Sequence, residues 1–502
     1  MTTDSKTYYL YGAAVQGIQN FIFQTNKLKE IVGASELVEE VCTEVFKKEV
    51  DKSFHEYDGD TGAVLMASGH IKYIFDENDS ALEEVVKNMP KRVQEHAPGI
   101  TFSQAVVKVS GDYNKDVEEL EQRLKIQRNK PMRSQTLGLM GVLRSRHTGL
   151  PVIDKKPIMG KDEYLDAAAN AKYFDPADSK KERTYDKIRK KTIPDDEKRP
   201  LLINLDKKGG NNDWIAVIHI DGNGLGTVVE EVCKLGADQF KKFSMDLDNA
   251  VKDSAKEAFN AVKHYFPTDE TKKGKDDYIP IRPLILSGED YNLICRADFA
   301  VEYVEAFLSK FEEETKFING YVKGKTNLTA CAGIAFVKSS FPFYYAYNLA
   351  NGLCDFAKKQ SERKASCLMF HKVQDSFTES YDEIVERELS PTKFFSFCHG
   401  PYYLDHADNT KTIKWLDQKA NGLKGKEGNA VKSHLRQWMS LLHDNADMAG
   451  QKLERLKNIT PLKKLVEELT ETRTDDNKRI LKNPSPVYDV LTIHTIRNQV
   501  TK

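Results

Sequence analysis

The sequence predicts an α+β fold with two ferredoxin-like domains, each built in the order βαββαβ, and a mostly helical C-terminal domain. Residues 8–109 and 214–337 show the same succession of strand and helix patterns, and each stretch contains a predicted β-hairpin. Because 502 residues are too many for one hydrophobic core, we expect several domains. The predicted boundaries are 1–125 for the first domain, 126–200 for a connector, 201–375 for the second domain and 376–502 for the helical domain.

The composition is typical of a soluble protein without a strong charge bias. Hydrophobic residues make up 40% of the chain and charged residues 30%, and 75 basic against 76 acidic residues leave a net charge of −1. Such a chain lacks the overall positive field that attracts nucleic acid. The seven cysteines form no CxxC pair, so neither a zinc site nor a disulfide framework is indicated. Without a signal-peptide pattern or an apolar run of membrane-spanning length, we expect a cytoplasmic protein with no membrane contact.

The first domain shows the periodicities of a complete βαββαβ unit. Helical patterns over residues 27–46 and 81–96 separate segments of strand character. The other predicted elements are a strand over 8–23, a hairpin over 63–75 and a strand over 100–109.

The connector is rich in turns and locally basic. Residues 128–133 and 144–151 carry several arginines, and such segments either contact phosphates or form solvated loops. Residues 180–199 are dense in charge and are expected to be exposed.

The second domain begins with an apolar, β-branched run from Trp214 that ends at a single carboxylate, Asp221. Three glycines follow, at Gly222, Gly224 and Gly226. A carboxylate at a strand end can hold a divalent cation, and a glycine-rich turn before a helix can hold phosphate. The same residues are also typical of an ordinary turn, so this stretch alone leaves both interpretations open.

Two further acids lie on a predicted hairpin over residues 283–295, within Ser287-Gly288-Glu289-Asp290. Adjacent carboxylates crowded beside a third are costly unless a cation compensates their charge. A strand ending in an acid, a long helix and an acidic hairpin follow one another in the order of a nucleotidyl-transfer palm, whose carboxylates hold two metal ions. A solvated acidic turn is the alternative interpretation.

The rest of the second domain is predicted as helices over 240–266, 299–317 and 342–359 and a strand over 328–337. Tyr345, Leu349 and Leu353 mark the expected apolar face of the last helix. Near its end, Lys358 and Lys359 either neutralise a nucleotide triphosphate or simply favour a helix C-terminus through the macrodipole.

The first domain has no acids at the matching positions. We align Val15-Gln16-Gly17 with Ile220-Asp221-Gly222, and Ser68-Gly69-His70-Ile71 with Ser287-Gly288-Glu289-Asp290. The first domain is therefore interpreted as structural or nucleotide-supporting, without metal ligands.

The C-terminal domain is expected to be helical around its leucine stripes at 435–442, 453–456 and 462–469. Residues 411–432 carry six lysines and three glycines, and this composition predicts a loop or a basic patch.

These motifs together resemble the Cas-ten family, the large polymerase-cyclase subunit of type III CRISPR effector complexes, and its free-standing relatives. The resemblance covers about residues 8–375, and GGDEF-type diguanylate cyclases share its palm. The segments that carry it are 16–22 with 33–35, 148–151, 219–226, 287–290, 331–334 with 341–343, and 357–358.

The resemblance implies a cyclase that joins ATP through 3′–5′ bonds into cyclic oligoadenylate second messengers in antiviral defence. It implies Asp221, Glu289 and Asp290 as catalytic residues. The implied ligands of Mg²⁺ or Mn²⁺ are Ile220, Asp221, Glu289 and Asp290. The implied nucleotide-binding residues are Gly222, Asn223, Gly224, Leu225, Gly226, Ser287, Gly288 and Lys358.

The chain also departs from the family pattern. Ser287-Gly288-Glu289-Asp290 stands where the family has GGDD, the connector lacks the family's zinc-binding cysteines, and no His-Asp nuclease domain is expected before the first palm. The expected partners are ATP, RNA or CRISPR-like protein subunits, and a second copy in a homodimer. The alternative function is a catalytically silent palm scaffold that binds nucleotide or RNA and partner subunits.

Overall fold

The computed structural model of the chain describes residues 6–67, 69–130, 140–146, 148–158, 161–173, 188–201, 214–266, 279–375, 380–393, 395–470 and 483–500. Two large sheets with helices packed against them dominate these residues. The expected α+β class with a helical C-terminal region is confirmed.

The first sheet has the ferredoxin-like arrangement. Its strands are β1 (Tyr8–Gln16), β2 (Gly62–Ala67), β3 (His70–Asp76) and β4 (Thr101–Lys108). They lie in the order β2-β3-β1-β4, and every neighbouring pair is antiparallel. The accompanying helices are Ile18–Ile22, Leu28–Glu40, Phe46–Val50, Ala81–His96 and Tyr113–Arg128, with a π-helical turn at Val41–Val45.

The connector contains an antiparallel hairpin of β5 (Val152–Ile158) and β6 (Lys161–Asp166), followed by the helix Ala167–Lys172. That helix lies against the first domain, because a Cβ atom added to Gly33 would stand 2.0 Å from the carbonyl oxygen of Lys172. Of the charge-dense segment predicted at 180–199, residues 180–187 lie outside the described residues.

The second sheet repeats the ferredoxin-like order and extends it. Its strands are β7 (Trp214–Gly222), β8 (Ile281–Ser287), β9 (Asp290–Arg296), β10 (Ala330–Lys338) and β11 (Cys367–Lys372), with the short β13 (Tyr402–Tyr403) at one edge. The order is β13-β11-β10-β7-β9-β8, in which β10-β7-β9-β8 matches the first sheet. β11 lies parallel to β10 and was not predicted, because its four apolar residues, at 367–370, are too few to show a periodicity that separates strand from helix.

Strand β7 is central in this sheet, and its residues from Trp214 to Ile220 are buried. The helices of this domain are Leu225–Cys233, Ala237–Val262, Ala300–Glu314 and Phe343–Gln360. The last helix lies directly on β10, because a Cβ atom at Gly333 would stand 1.9 Å from the carbonyl oxygen of Ala350. This close approach brings the end of the helix beside the end of β7.

The predicted apolar face of the helix Phe343–Gln360 is partly wrong. Leu349 and Leu353 are buried as expected, whereas the side chain of Tyr345 is 47% exposed. Tyr347 is buried instead, and it contacts the first domain through the ring of Phe23, whose centroid is 4.0 Å away. Because tyrosine has an apolar ring and a polar hydroxyl group, it can be either buried or exposed. The sequence alone therefore does not show which of Tyr345 and Tyr347 is buried.

The first domain contacts the second beside β8 and at the start of the helix Phe343–Gln360. The Ser35 hydroxyl donates to the carbonyl oxygen of Leu284 at 2.5 Å. The backbone N–H of Phe343 donates to Oδ1 of Asn26 at 2.9 Å.

The C-terminal region consists mainly of helices. They are Tyr381–Arg387, Ile413–Gly422, Gly425–Asp444, Ala446–Ile459, Lys463–Thr470 and Val487–Val500, and the short β12 (Phe395–Ser396) pairs with β14 (Asn483–Pro484). No helix among the described ranges is long and apolar enough to cross a membrane.

Of the two alternatives predicted for residues 411–432, a loop or a basic patch, the loop is wrong, because the helices Ile413–Gly422 and Gly425–Asp444 occupy nearly all of these residues. Leu416 and Ala420 are buried on one face of the first helix, and Val431 and Leu435 on one face of the second. This four-residue spacing of apolar positions outweighs the lysines and glycines between them.

Candidate active site

The acids singled out in the sequence meet where β7 and β9 end side by side. In the register of this antiparallel pair, His219 lies opposite Asn292 and Ile220 opposite Tyr291. The next residues along the two strands are therefore Asp221 and Asp290, also opposite each other. Glu289 lies beside Gly222, where an added Cβ atom would stand 3.0 Å from the Cβ of Glu289. A residue with a side chain at position 222 would displace Glu289.

Lys358 reaches this cluster from the helix Phe343–Gln360. Its Nζ atom lies 2.5 Å from Oδ2 of Asp221 and 3.1 Å from the carbonyl oxygen of Gly222. The lysine side chain is 8% exposed and the aspartate side chain 33% exposed. A buried ammonium group thus already compensates one carboxylate of the cluster.

Glu289 carries an unfavourable charge in this arrangement. Burial, and to a smaller extent the negative charges of Asp221 and Asp290, raise the pKa of its carboxyl group to about 7. A cation bound beside these acids would stabilise the charged form of the Glu289 carboxylate.

Asp290 is held by two residues to which the sequence analysis gave no role. His219 Nδ1 lies 2.7 Å from Oδ1 of Asn292 and 3.3 Å from Oδ1 of Asp290, and the Asn292 amide donates to Asp290 at 2.7 Å. Burial acts to lower the pKa of His219, but the hydrogen bond and charge of Asp290 outweigh it, so the pKa is raised. The sequence contains a signal for these two residues. His219 precedes Asp221 by two positions and Asn292 follows Asp290 by two, and residues two apart in a strand lie on the same face of the sheet.

The glycine-rich turn after β7 forms the entry to the helix Leu225–Cys233. Gly224 precedes this helix in the left-handed conformation, with a φ of 64°, and the Thr227 hydroxyl donates to its carbonyl oxygen at 2.8 Å. Leu225 is buried, whereas a Cβ atom at Gly226 would meet no atom within 4 Å. The helix N-terminus is therefore open on the Gly226 side, as a phosphate site requires.

Asn223 is the predicted nucleotide-binding residue whose side chain lies deepest. It is 3% exposed, and its amide donates to Oγ1 of Thr329 at 3.0 Å and to the carbonyl oxygen of Ala365 at 3.3 Å. Its side chain therefore braces the turn from behind. In the adjacent hairpin, the backbone of Ser287 pairs with Asp290, and Gly288 takes the turn with a φ of 58°.

The donor set suits a hard divalent cation, because carboxylate oxygens are the ligands that Mg²⁺ and Mn²⁺ prefer. Ile220 is fully buried, so only its backbone carbonyl could contribute. In the arrangement of the described residues, no three His, Cys, Asp or Glu side chains gather closely enough to hold a metal ion. Asp221 is instead paired with Lys358, and Asp290 with His219.

The alignment of the two domains proposed from the sequence is shifted. His70 begins β3 and pairs with Ala14, just as Asp290 begins β9 opposite Asp221. His70 therefore corresponds to Asp290, and Ala14, rather than Gln16, corresponds to Asp221. In the corrected register the first domain still has no carboxylate at these positions, because Ala14, Gly69 and His70 occupy them.

Comparison with known proteins supports this reading of the second sheet. Residues 214–367 match the family model of the Cas10/Cmr2 second palm domain. No curated protein sequence matches the chain.

Solved structures of Csm1–Csm4 assemblies share the fold. The apo Csm1–Csm4 cassette matches with a TM-score of 0.55 and 16% identity, over 98% of this chain and 70% of that one. The cassettes in complex with cA4 and with AMPPNP both match with a TM-score of 0.53 and 15% identity. In both cases the match covers 98% of this chain and 70% of the other.

Proposed function

Because this chain is a Cas10-like protein with a second palm domain of the Cas10/Cmr2 type, we propose that it is a nucleotidyl cyclase that joins ATP into cyclic oligoadenylates. The observation that carries the proposal is that strand register brings the positions of Asp221, Glu289 and Asp290 to one end of the β7–β9 pair, beside an open helix N-terminus and a buried lysine. These groups came from three separate stretches of sequence. A solvated acidic turn would not be expected to lie beside a third acid, Asp221, that is itself paired with a buried ammonium group.

In the proposed reaction, a ribose 3′-oxygen attacks the α-phosphorus of a second ATP. A P–O bond forms, the bond between the α- and β-phosphates breaks, and pyrophosphate leaves. The proton of the 3′-hydroxyl passes to solvent or to a carboxylate. Repetition and a final intramolecular attack close the ring.

We assign Asp221, Glu289, Asp290 and the carbonyl of Ile220 to holding Mg²⁺ or Mn²⁺. Bound cations of this kind activate the 3′-hydroxyl and stabilise the charge of the leaving pyrophosphate. Gly222, Gly224, Leu225 and Gly226 provide the backbone that approaches the phosphates.

Lys358 has two alternative partners in this proposal. Without substrate it neutralises Asp221 at 2.5 Å. If Asp221 held a cation, the Lys358 ammonium group would be available for a phosphate oxygen. His219 and Asn292 act as positioning residues, because they orient the Asp290 carboxylate from inside the sheet.

The ligands in solved structures of similar proteins support ATP as the substrate. Csm1–Csm4 cassettes have been solved with one ATP, with pppApA and with cA3. By analogy, we propose that this chain acts in antiviral defence and has a protein partner of the Csm4 kind.

The decisive experiment is incubation of the purified protein with each labelled nucleoside triphosphate and Mn²⁺, followed by identification of the products. We expect cyclic oligoadenylate from wild type and none from Glu289→Gln plus Asp290→Asn. The matched control is Glu230→Gln plus Glu231→Gln, which removes the same charge from an exposed acid pair of the same domain. Absence of any product from wild type, with or without RNA and partner subunits, would favour the scaffold function.

A further inference from the structure

A polar cavity lies at the far end of β7 from Asp221. It has a volume of about 500 Å³ and lies between the end of β11, the helix Gly425–Asp444 and the helix Val487–Val500. The polar residues that line it are Lys372, Gln374, Arg436, Tyr488, Thr492 and Thr495. Trp214, which starts β7, is seven residues from Asp221, so the two ends of the strand are about 23 Å apart.

The cavity is positively charged and has no acidic residue in its wall. Lys372 and Lys338 both lie against the ring of Trp214, with Nζ atoms 4.4 and 4.5 Å from its centroid. Arg436 also lines the cavity. Within the described part of the chain, none of these three cations has a carboxylate at ion-pair distance.

The cations disfavour one another in this arrangement. Burial, together with the positive charges of Arg436 and Lys338, lowers the pKa of Lys372 to about 8. The Trp214 ring offsets part of this repulsion, but the cavity wall contributes no acidic side chain, and like charges repel more strongly in a partly enclosed space than in water. An anion between them would remove this cost.

The helix Val487–Val500 supplies the opposite wall. Tyr488, Leu491, Thr492 and Thr495 follow one another at helical spacing and all face the cavity. The Arg436 side chain is exposed, and its guanidinium donates to Oγ1 of Thr495 at 2.7 Å, which holds it at the open side of the cavity. Its remaining N–H groups can form the forked pair of bonds that phosphate accepts.

We propose that this cavity binds a small organic phosphate of about mononucleotide size, with its phosphate group between Lys372 and Arg436. The volume lies within the range of about 300–1,000 Å³ that small-molecule sites occupy. Leu491 and Met439 give the organic part of such a ligand an apolar surface. This site is independent of the palm chemistry proposed above.

The test uses calorimetry of the full chain with AMP, and separately with inorganic phosphate, in buffer containing EDTA. We expect AMP to bind wild type, and binding to weaken at least tenfold in Lys372→Gln plus Arg436→Gln. The matched control is Lys426→Gln plus Arg455→Gln, which removes the same charge from exposed positions of the same helical region and should bind as wild type does. Weaker binding of inorganic phosphate than of AMP would support contact with the organic part.

The palm variant Glu289→Gln plus Asp290→Asn separates the two sites, because it should keep AMP binding in EDTA even if it loses activity. If the cavity variant binds AMP as tightly as wild type, the proposal is wrong. It is also wrong if the cavity variant loses affinity for a short RNA while AMP binding is unchanged.

A second measurement covers the case in which the double variant does not fold. At constant ionic strength, replacing chloride by phosphate should raise the melting temperature of wild type through linkage, and should raise that of Lys372→Gln alone by less. An equal rise in both proteins would overturn the proposal.

Discussion

The Nζ atom of Lys358 lies 2.5 Å from Oδ2 of Asp221, and this contact joins the last turn of the helix Phe343–Gln360 to the end of strand β7. The two residues are 137 positions apart in the chain. In the metal-free site, the positive charge of Lys358 therefore balances the negative charge of Asp221. Among the described residues, no such partner balances the charge of Glu289, whose pKa is raised.

Asp221→Ala should abolish nucleotide conversion and should not stabilise the protein. Removal of the carboxylate leaves the buried Lys358 without its partner, so we expect a loss of about 1–2 kcal/mol in the free energy of unfolding, between the values of exposed and buried pairs. Product analysis and urea unfolding check the two parts. Wild-type turnover in this variant would contradict the proposed role of Asp221.

Lys358→Gln should raise KM for ATP about tenfold or more, because a charge-assisted hydrogen bond contributes about 1.5–3 kcal/mol. The adjacent Lys359 is exposed and provides the control. Lys359→Gln should leave KM within about twofold of wild type, as surface substitutions usually have small effects. Equal effects of the two substitutions would mean that only the charge of the helix end matters.

Glu289→Gln plus Asp290→Asn should lose most of the metal-dependent affinity for ATP while keeping the circular dichroism spectrum. The amides preserve shape but lack the charge that holds cations. Calorimetry with Mg-ATP, beside Glu230→Gln plus Glu231→Gln as the control, measures this. Unchanged Mg-ATP affinity in the first variant would mean that these acids are not metal ligands.

Stability in metal-free buffer should fall as the pH rises through the range set by Glu289. Its pKa is raised from 4.5 to about 7 in the folded protein, so between these values the folded state binds more protons than the unfolded state. The free energy of unfolding therefore decreases with pH across this window and the stabilisation is absent above it.

Glu289→Gln should reduce this pH dependence, measured by urea unfolding from about pH 5 to about pH 8. Asp489 contributes in the same window, because burial raises its pKa to about 7, so part of the slope will persist in the variant. Addition of Mg²⁺ should flatten the slope in wild type and not in the variant. An identical slope in wild type and variant would contradict the charged environment described for Glu289.

The first domain should bind no catalytic metal. Crystals soaked in Mn²⁺ should show anomalous peaks near Glu289 and none near His70. The positions equivalent to the three acids are occupied by Ala14, Gly69 and His70, which offer no carboxylate. A strong peak beside His70 that disappears in His70→Ala would overturn this prediction.

Much of the fold was accessible from sequence patterns. The two βαββαβ units, the hairpin that carries Glu289 and Asp290, and the strand that ends at Asp221 all follow from apolar periodicity and turn residues. These signals are local, because the side-chain periods of helices and strands are properties of the backbone. The failure at residues 411–432 has the same origin, since composition was weighed above the spacing of Leu416, Ala420, Val431 and Leu435.

Contacts between distant segments required the tertiary structure. Register decided that Asp221 faces Asp290, and it corrected the alignment of the first domain by matching His70 to Asp290. Packing of a helix on Gly333 decided that Lys358, and not Lys359, meets the acids. Lys372 and Arg436 came together through strand β11 and two helices that no local pattern relates. Charge and pKa depend on such neighbours through distance and burial, and neither quantity is encoded in the spacing of residues along one segment.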